Sequence, residues 1–177
     1  ASYTYPGAAK PAFRYITIQI VAGESIAILG RIGSGKSTLL KLFTRMTDTP
    51  DACLYIDGHD VNDYPLSQLR QQVSQVLQDP FLFGEPLYSN ISYDDPERNL
   101  ELVWDAAEAA SLRGSIDDFP MKMHTIVGER GVTLSGGQKQ RAALARGLIR
   151  HAPVLILDDC FSSVDTETEE HILSGLK

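Results

Sequence analysis

The segment Gly30-Arg31-Ile32-Gly33-Ser34-Gly35-Lys36-Ser37-Thr38 fits the pattern GxxxxGK[ST], with its fixed positions at Gly30, Gly35, Lys36 and Ser37. Glycines at this spacing let backbone N–H groups turn inward around phosphate oxygens. Lys36 can reach β- and γ-phosphates, and the Ser37 hydroxyl can ligate Mg²⁺. Gly33, Ser34 and Thr38 complete the cradle, whereas Arg31 and Ile32 fill variable positions. A coincidental Gly-rich turn would not need an apolar run before it and a helical pattern after it, and both are present. The expected ligand is ATP with Mg²⁺.

Two further segments carry chemistry. Val154-Leu155-Ile156-Leu157 runs directly into Asp158-Asp159. A carboxylate at a strand's end is placed to hold Mg²⁺ through water, and the next one to orient or deprotonate an attacking water. Taken alone, the same segment is equally a buried strand entering an acidic loop. Leu134-Ser135-Gly136-Gly137-Gln138 precedes a helical pattern. Ser135 can cap that helix, and the glycines expose N-terminal amides that attract anions.

These groups need a scaffold. Ile16-Thr17-Ile18-Gln19-Ile20-Val21 alternates as a half-buried strand would, and Ser25 to Leu29 reads as a strand buried on both faces. Ser37 to about Thr47 has helical spacing. Cys53 to Ile56 is a short strand ended by the turn signal Asp57-Gly58. A short helix over Pro65–Gln72 and a strand over Val73–Gln78 follow. Further helices are expected over residues 100–112, from Gly136 to about His151, and over Thr166–Leu176, with a buried strand at Val154–Leu157. Strands alternating with helices argue an α/β fold with a mostly parallel sheet.

The chain has 177 residues, 43% apolar and 22% charged, which suits one soluble domain. Its formal net charge of −7 is a poor footprint for nucleic acid, so no nucleic-acid partner is expected. Cys53 and Cys160 lie far apart, and neither a zinc pattern nor a disulfide framework is indicated. His59, His124 and His151 show no metal-ligand spacing. No apolar run approaches the ~20 residues of a transmembrane helix.

With these motifs in place, the chain resembles the nucleotide-binding domain of ABC transporters over nearly its whole length. Leu134 to Gln138 matches the family signature LSGGQ in full. Gln78, in Val76-Leu77-Gln78-Asp79-Pro80, resembles the Q-loop glutamine, and Ser162-Ser163-Val164-Asp165 resembles the D-loop. Tyr5 resembles the aromatic residue that stacks on adenine. Thr125-Ile126-Val127-Gly128-Glu129-Arg130-Gly131 is similar to the X-loop of exporter-type members, and Phe81-Leu82-Phe83 with Asn90-Ile91 is also exporter-like.

The resemblance implies a P-loop NTPase fold of the ABC type over residues 1–177. It would have a β-subdomain, a mostly parallel core sheet and a helical signature subdomain at about 85–150. It also implies that two such domains close head-to-tail around two ATP molecules. Ser135, Gly136, Gly137 and Gln138 would then face the partner's ATP, and Asp165 would belong to the same composite sites. Ser37, Gln78 and Asp158 would ligate Mg²⁺, while Lys36, Gln78 and Asp159 would serve catalysis. The expected partners are a second nucleotide-binding domain and the transmembrane domain of a transporter. The expected location is the cytoplasmic face of a cell membrane.

Two departures qualify that picture. The family has Glu where this chain has Asp159. The shorter side chain withdraws its carboxylate by about 1.5 Å, and a misplacement of ~1 Å at a reacting centre can cost about a hundredfold. Slow hydrolysis is therefore expected at this P-loop, as in the degenerate-site subunit of heterodimeric exporters. The family's switch-region histidine is also missing, and the β-segment that the family usually has before Tyr3 is short of residues, so a domain truncated at both ends is expected, with a gap inside its sheet. Two other readings compete with an export motor. One is a regulatory ATP-binding module with little hydrolysis. The other is a non-transport ABC-type ATPase, which the acidic charge and the X-loop-like segment disfavour. Arg141 and Arg146 are expected to support the fold.

Overall fold

The computed structural model describes residues 1–128 and 132–176. These fall into two compact units, Ala1–Val73 and Ser74–Lys177.

In the first unit, helix α1 (Lys36–Phe43) starts at Gly35, whose φ of 91° is left-handed and which supplies no side-chain cap. Leu39 and Leu42 lie three residues apart, share a face and are buried with Tyr3 and Phe13. Tyr3 and Phe13 are tied by backbone bonds: Tyr3 N–H donates to Phe13 O (3.1 Å), and Ala12 N–H to Tyr3 O (2.8 Å). The helix stops sooner than its apolar pattern suggests, because Arg45 turns left-handed at φ 47°. Strands β1 (Tyr55–Ile56) and β2 (His59–Asp60) pair antiparallel around Asp57-Gly58. Both turn residues have positive φ (49° and 82°), as a two-residue hairpin turn of matching twist requires. Helix α2 (Leu66–Gln72) buries Leu69.

The expected strands at Ile16–Val21 and Ser25–Leu29 do not form. Ile26 is 45% exposed and Leu29 91% exposed, the opposite of burial on both faces. Alternation and apolarity make a segment fit to be a strand, but a strand exists only when a neighbour completes its hydrogen-bond ladder. Among the described residues, no segment pairs with 17–29 in a sheet.

In the second unit, β3 (Val73–Val76) neighbours β4 (Val154–Leu157). Only Ile156 of β4 is fully enclosed and its other residues are half-buried, so the expected buried strand is wetter than its composition suggests. Helices α3 (Leu87–Ile91), α4 (Leu100–Ala109) and α6 (Gly136–Leu148) pack together, with α5 (Arg113–Asp117) against α4. Val103, Ala106, Ala107 and Ala110 form the buried stripe of α4, at the i, i+3, i+4, i+7 positions of a helix face. Gly147 lets α6 close on β3, since a Cβ there would lie 2.6 Å from Val76 Cγ2. Helix α7 (Thr166–Gly175) ends the described chain and buries Ile172. Helices α3 and α5 have no counterpart among the sequence-based expectations, because five residues are too few to show a helical period.

Candidate functional site

The Gly-rich loop is built on the first unit. Gly33 (φ 79°) and Gly35 (φ 91°) hold the left-handed turns that close it. At Gly35 the space is also taken, as a Cβ would lie 2.5 Å from the Ala12 carbonyl oxygen. Ser34 N–H donates to Arg31 O at 3.1 Å and tightens the turn. Lys36 Nζ folds over the loop, donating to Gly30 O (2.8 Å) and Arg31 O (3.2 Å). The ammonium is thus aimed at the loop's own concavity, where phosphate oxygens are better acceptors than neutral carbonyls. Tyr5 hydroxyl and Thr38 Oγ1 are 3.0 Å apart, and the Tyr5 ring meets Tyr3 edge-on at 5.1 Å. Tyr5 is therefore held beside the loop's helix with its ring partly exposed. Tyr5, Gly30, Gly33, Ser34, Gly35, Lys36, Ser37 and Thr38 are brought into one neighbourhood, as their sequence pattern requires.

The second unit carries its own set of candidate residues. Asp158 is buried at 6% exposure, with its N–H donating to Val76 O at 3.0 Å, so β3 fixes the end of β4. Asp159 follows in a left-handed conformation (φ 50°) that Asp tolerates better than most residues. Its Oδ2 accepts from Gln78 Nε2 at 2.8 Å. Gln78 and Asp159, both candidate site residues on sequence grounds, therefore meet. Within this unit, Gln78 and Asp158 offer hard oxygen donors with a single carboxylate. Mg²⁺ suits such a set when substrate phosphates complete its shell. No cluster of His, Cys, Asp and Glu that could hold a metal ion by itself occurs among the described residues.

The signature segment is a fully formed helix start. Gln138 N–H donates to Ser135 Oγ (3.2 Å), and Ser135 N–H to Gln138 Oε1 (2.9 Å), a reciprocal capping box. Leu134 is buried and anchors the turn. Gly137 has room for no side chain, since a Cβ would lie 2.5 Å from Ser163 O. Asp165 caps α7, accepting from Thr168 N–H at 2.9 Å. Bonds from the Thr168 backbone and side chain hold the Asp165 carboxyl below its ordinary range.

Asn90 is a connection that sequence reasoning sees only as a family likeness. It is 1% exposed and satisfies a whole turn. Its Oδ1 accepts from Phe83 N–H (2.8 Å), and its Nδ2 faces the carbonyls of Phe83, Glu85 and Pro86 at 3.1–3.2 Å. Arg146 on α6 donates to Asn90 O (2.6 Å), Asn90 Oδ1 (3.0 Å) and Phe81 O (2.9 Å), and lies over the Phe83 ring at 5.8 Å. Arg141 likewise donates to Gly137 O, Ser111 O and Ser115 Oγ. The expectation that both arginines serve the fold agrees with these bonds. The first part of the X-loop-like segment, Thr125–Gly128, lies against the same turn: Leu87 N–H donates to Thr125 O and Val127 N–H to Glu85 O, both at 3.0 Å. Glu129, Arg130 and Gly131 lie outside the described residues. Cys160 is buried, and burial pushes its thiol up to about 12, which leaves it no nucleophile's character.

Comparison with known proteins agrees with this construction. The family model for the ABC transporter matches residues 13–162. The ATP-dependent lipid A-core flippase of Vibrio cholerae is 43% identical over 99% of this chain and 30% of its own length. The protein of that description from Salmonella typhimurium is 44% identical over the same shares. Among solved structures, a bacterial Atm1-family ABC exporter with ATP bound superposes with a TM-score of 0.92 at 35% identity, over 99% of this chain and 31% of that one. The chain thus spans about 30% of the length of these curated relatives. A matched model over most of its residues, a P-loop NTPase fold and an intact LSGGQ helix start together place the chain in the ABC transporter family.

Proposed function

We propose that this domain binds Mg–ATP and hydrolyses it, as the motor of a membrane exporter that closes head-to-tail with a second nucleotide-binding domain. The observation that carries the reading is the P-loop itself: two left-handed glycines, with Lys36 Nζ folded over the loop at 2.8 Å from Gly30 O. The relatives described as flippases and as an exporter with ATP bound support transport as the work done. Among the described residues no helix is long and apolar enough to cross a membrane. The membrane passage belongs, in this reading, to a transmembrane partner domain.

The backbone N–H groups of residues 33–38 and Lys36 hold the β- and γ-phosphates, and Tyr5 stacks on the base. Ser37, Gln78 and Asp158 would ligate Mg²⁺, which would supply neutralisation of phosphate charge. Asp159 orients the attacking water and takes its proton, and Gln78 fixes Asp159 by the 2.8 Å bond. Ser135, Gly136, Gly137, Gln138 and Asp165 serve the site completed with the second domain. Residues at about 85–150 act as the helical subdomain that carries this surface. The domain works at the cytoplasmic face of the membrane, where ATP is supplied. The lipid A-core flippases among the relatives make a glycolipid the first cargo to assay.

A second reading, a binding module with little turnover, is favoured by the aspartate at position 159. Single-turnover hydrolysis by the assembled transporter in lipid vesicles separates the two. Release of phosphate coupled to transport supports the motor, and tight ATP binding without release or transport supports the module. A transporter that binds no ATP contradicts both.

A further inference from the structure

Gln140 lies on α6, two residues beyond the signature, and is 5% exposed. A buried amide is costly unless both of its ends are bonded. Here both are: Nε2 donates to Ser162 Oγ at 2.8 Å, and Oε1 accepts from Ser163 N–H at 2.9 Å. A backbone N–H can only donate, so the orientation of the amide is fixed. An apolar side chain would fill this helix face equally well. What the amide adds is a direction imposed on the backbone at 162–163.

The same segment is held from two other sides. A Cβ on Gly136 would lie 3.1 Å from Ser163 Oγ, and one on Gly137 2.5 Å from Ser163 O, so the signature glycines and the D-loop-like segment lie against one another. Downstream, Asp165 is committed to capping α7. The segment Ser162–Asp165 therefore has one end set by Gln140 and the other by its own helix.

We infer that Gln140 is a positioning residue that locks the signature turn and the Ser162–Asp165 segment into one rigid face, presented as a unit to the second nucleotide-binding domain. The inference rests on the composite-site reading proposed above. In that reading the signature and this segment serve the same closed dimer, so a loose joint between them misplaces one when the other docks.

The test uses the assembled transporter with Gln140→Met, which keeps the length of the side chain and loses both bonds, together with Ser162→Ala and the double variant. Thermal midpoints establish that each variant is folded. The expected result is a kcat for ATP hydrolysis lowered by about ten- to a hundredfold in Gln140→Met, with the ATP concentration for half-saturation unchanged, because the P-loop is intact. Ser162→Ala lowers kcat less, and the double variant is no slower than Gln140→Met, since both remove the same joint. Amide hydrogen exchange in the peptide containing Ser162–Val164 accelerates in Gln140→Met. Unchanged exchange, or effects that multiply in the double variant, would overturn the inference. A wild-type transporter that neither binds nor hydrolyses ATP would instead sink the functional reading, and the exchange measurement would still judge the lock.

Discussion

One methylene separates Asp159 from the glutamate that the family resemblance leads one to expect, and its placement sharpens what that methylene does. The left-handed backbone and the bond to Gln78 leave the Asp159 carboxylate one preferred position. Asp159→Glu extends the carboxylate by about 1.5 Å. The expected outcome is an increase in single-turnover rate at this site of about ten- to a hundredfold, with ATP affinity unchanged. An unchanged rate with intact binding would show that the shorter side chain is fully competent. Cys160, beside this pair, should resist alkylation in the folded transporter at neutral pH, because its thiol is buried and pushed up to about 12. Rapid modification of Cys160 by iodoacetamide, read by mass spectrometry, would contradict that placement. The motif residues themselves are legible in the sequence because their chemistry is local. A left-handed glycine, a capping serine and a lysine a fixed number of residues away act over one turn of chain.

At the scale of elements, the helices and turns with capping signals are legible, and so are the strands at Tyr55–Ile56, Val73–Val76 and Val154–Leu157, whereas the two expected within residues 16–29 do not form. Ser135 caps the helix that its sequence position announces, and Asp57-Gly58 forms its hairpin turn. Residues 16–29 depart from expectation because a strand depends on a neighbour that no local pattern specifies. Asn90 is hard to read for the same reason: its partners, Phe83 and Arg146, come from a loop and from a distant helix. Asn90→Ala leaves Phe83 N–H and part of Arg146 buried without an acceptor. It should lower stability by about 1–3 kcal/mol, read as a fall in the urea midpoint at constant slope. A midpoint equal to wild type would mean that water replaces the lost bonds. The Asp165 cap makes a pH prediction. Its folded carboxyl titrates below its unfolded one, so its stabilisation is complete above the unfolded value and lost as pH falls through the folded value. Asp165→Asn keeps a capping oxygen but cannot titrate. The stability advantage of wild type over Asp165→Asn should therefore be present at neutral pH and vanish in the acid range. A difference that stays constant with pH would contradict the charged cap.

At the scale of the whole molecule, the two described units each carry a set of candidate residues: a phosphate cradle in one, and paired carboxylates with a signature helix in the other. The family is legible from sequence because several short motifs occur in a fixed order, which chance does not supply. In the function proposed above, transport depends on a membrane domain and on a second domain of this kind, so it belongs to the assembly. The claim on which the rest depends is that Gly30–Thr38 holds Mg–ATP through Lys36. Equilibrium binding of radiolabelled Mg–ATP to the assembled transporter, with Lys36→Ala beside wild type, tests it most directly. Charge-assisted contacts to phosphate are removed, at about 1.5–3 kcal/mol each, so the expected result is saturable binding that weakens at least about tenfold at this site in the variant. Equal binding in the two proteins, or no binding in either, would contradict it.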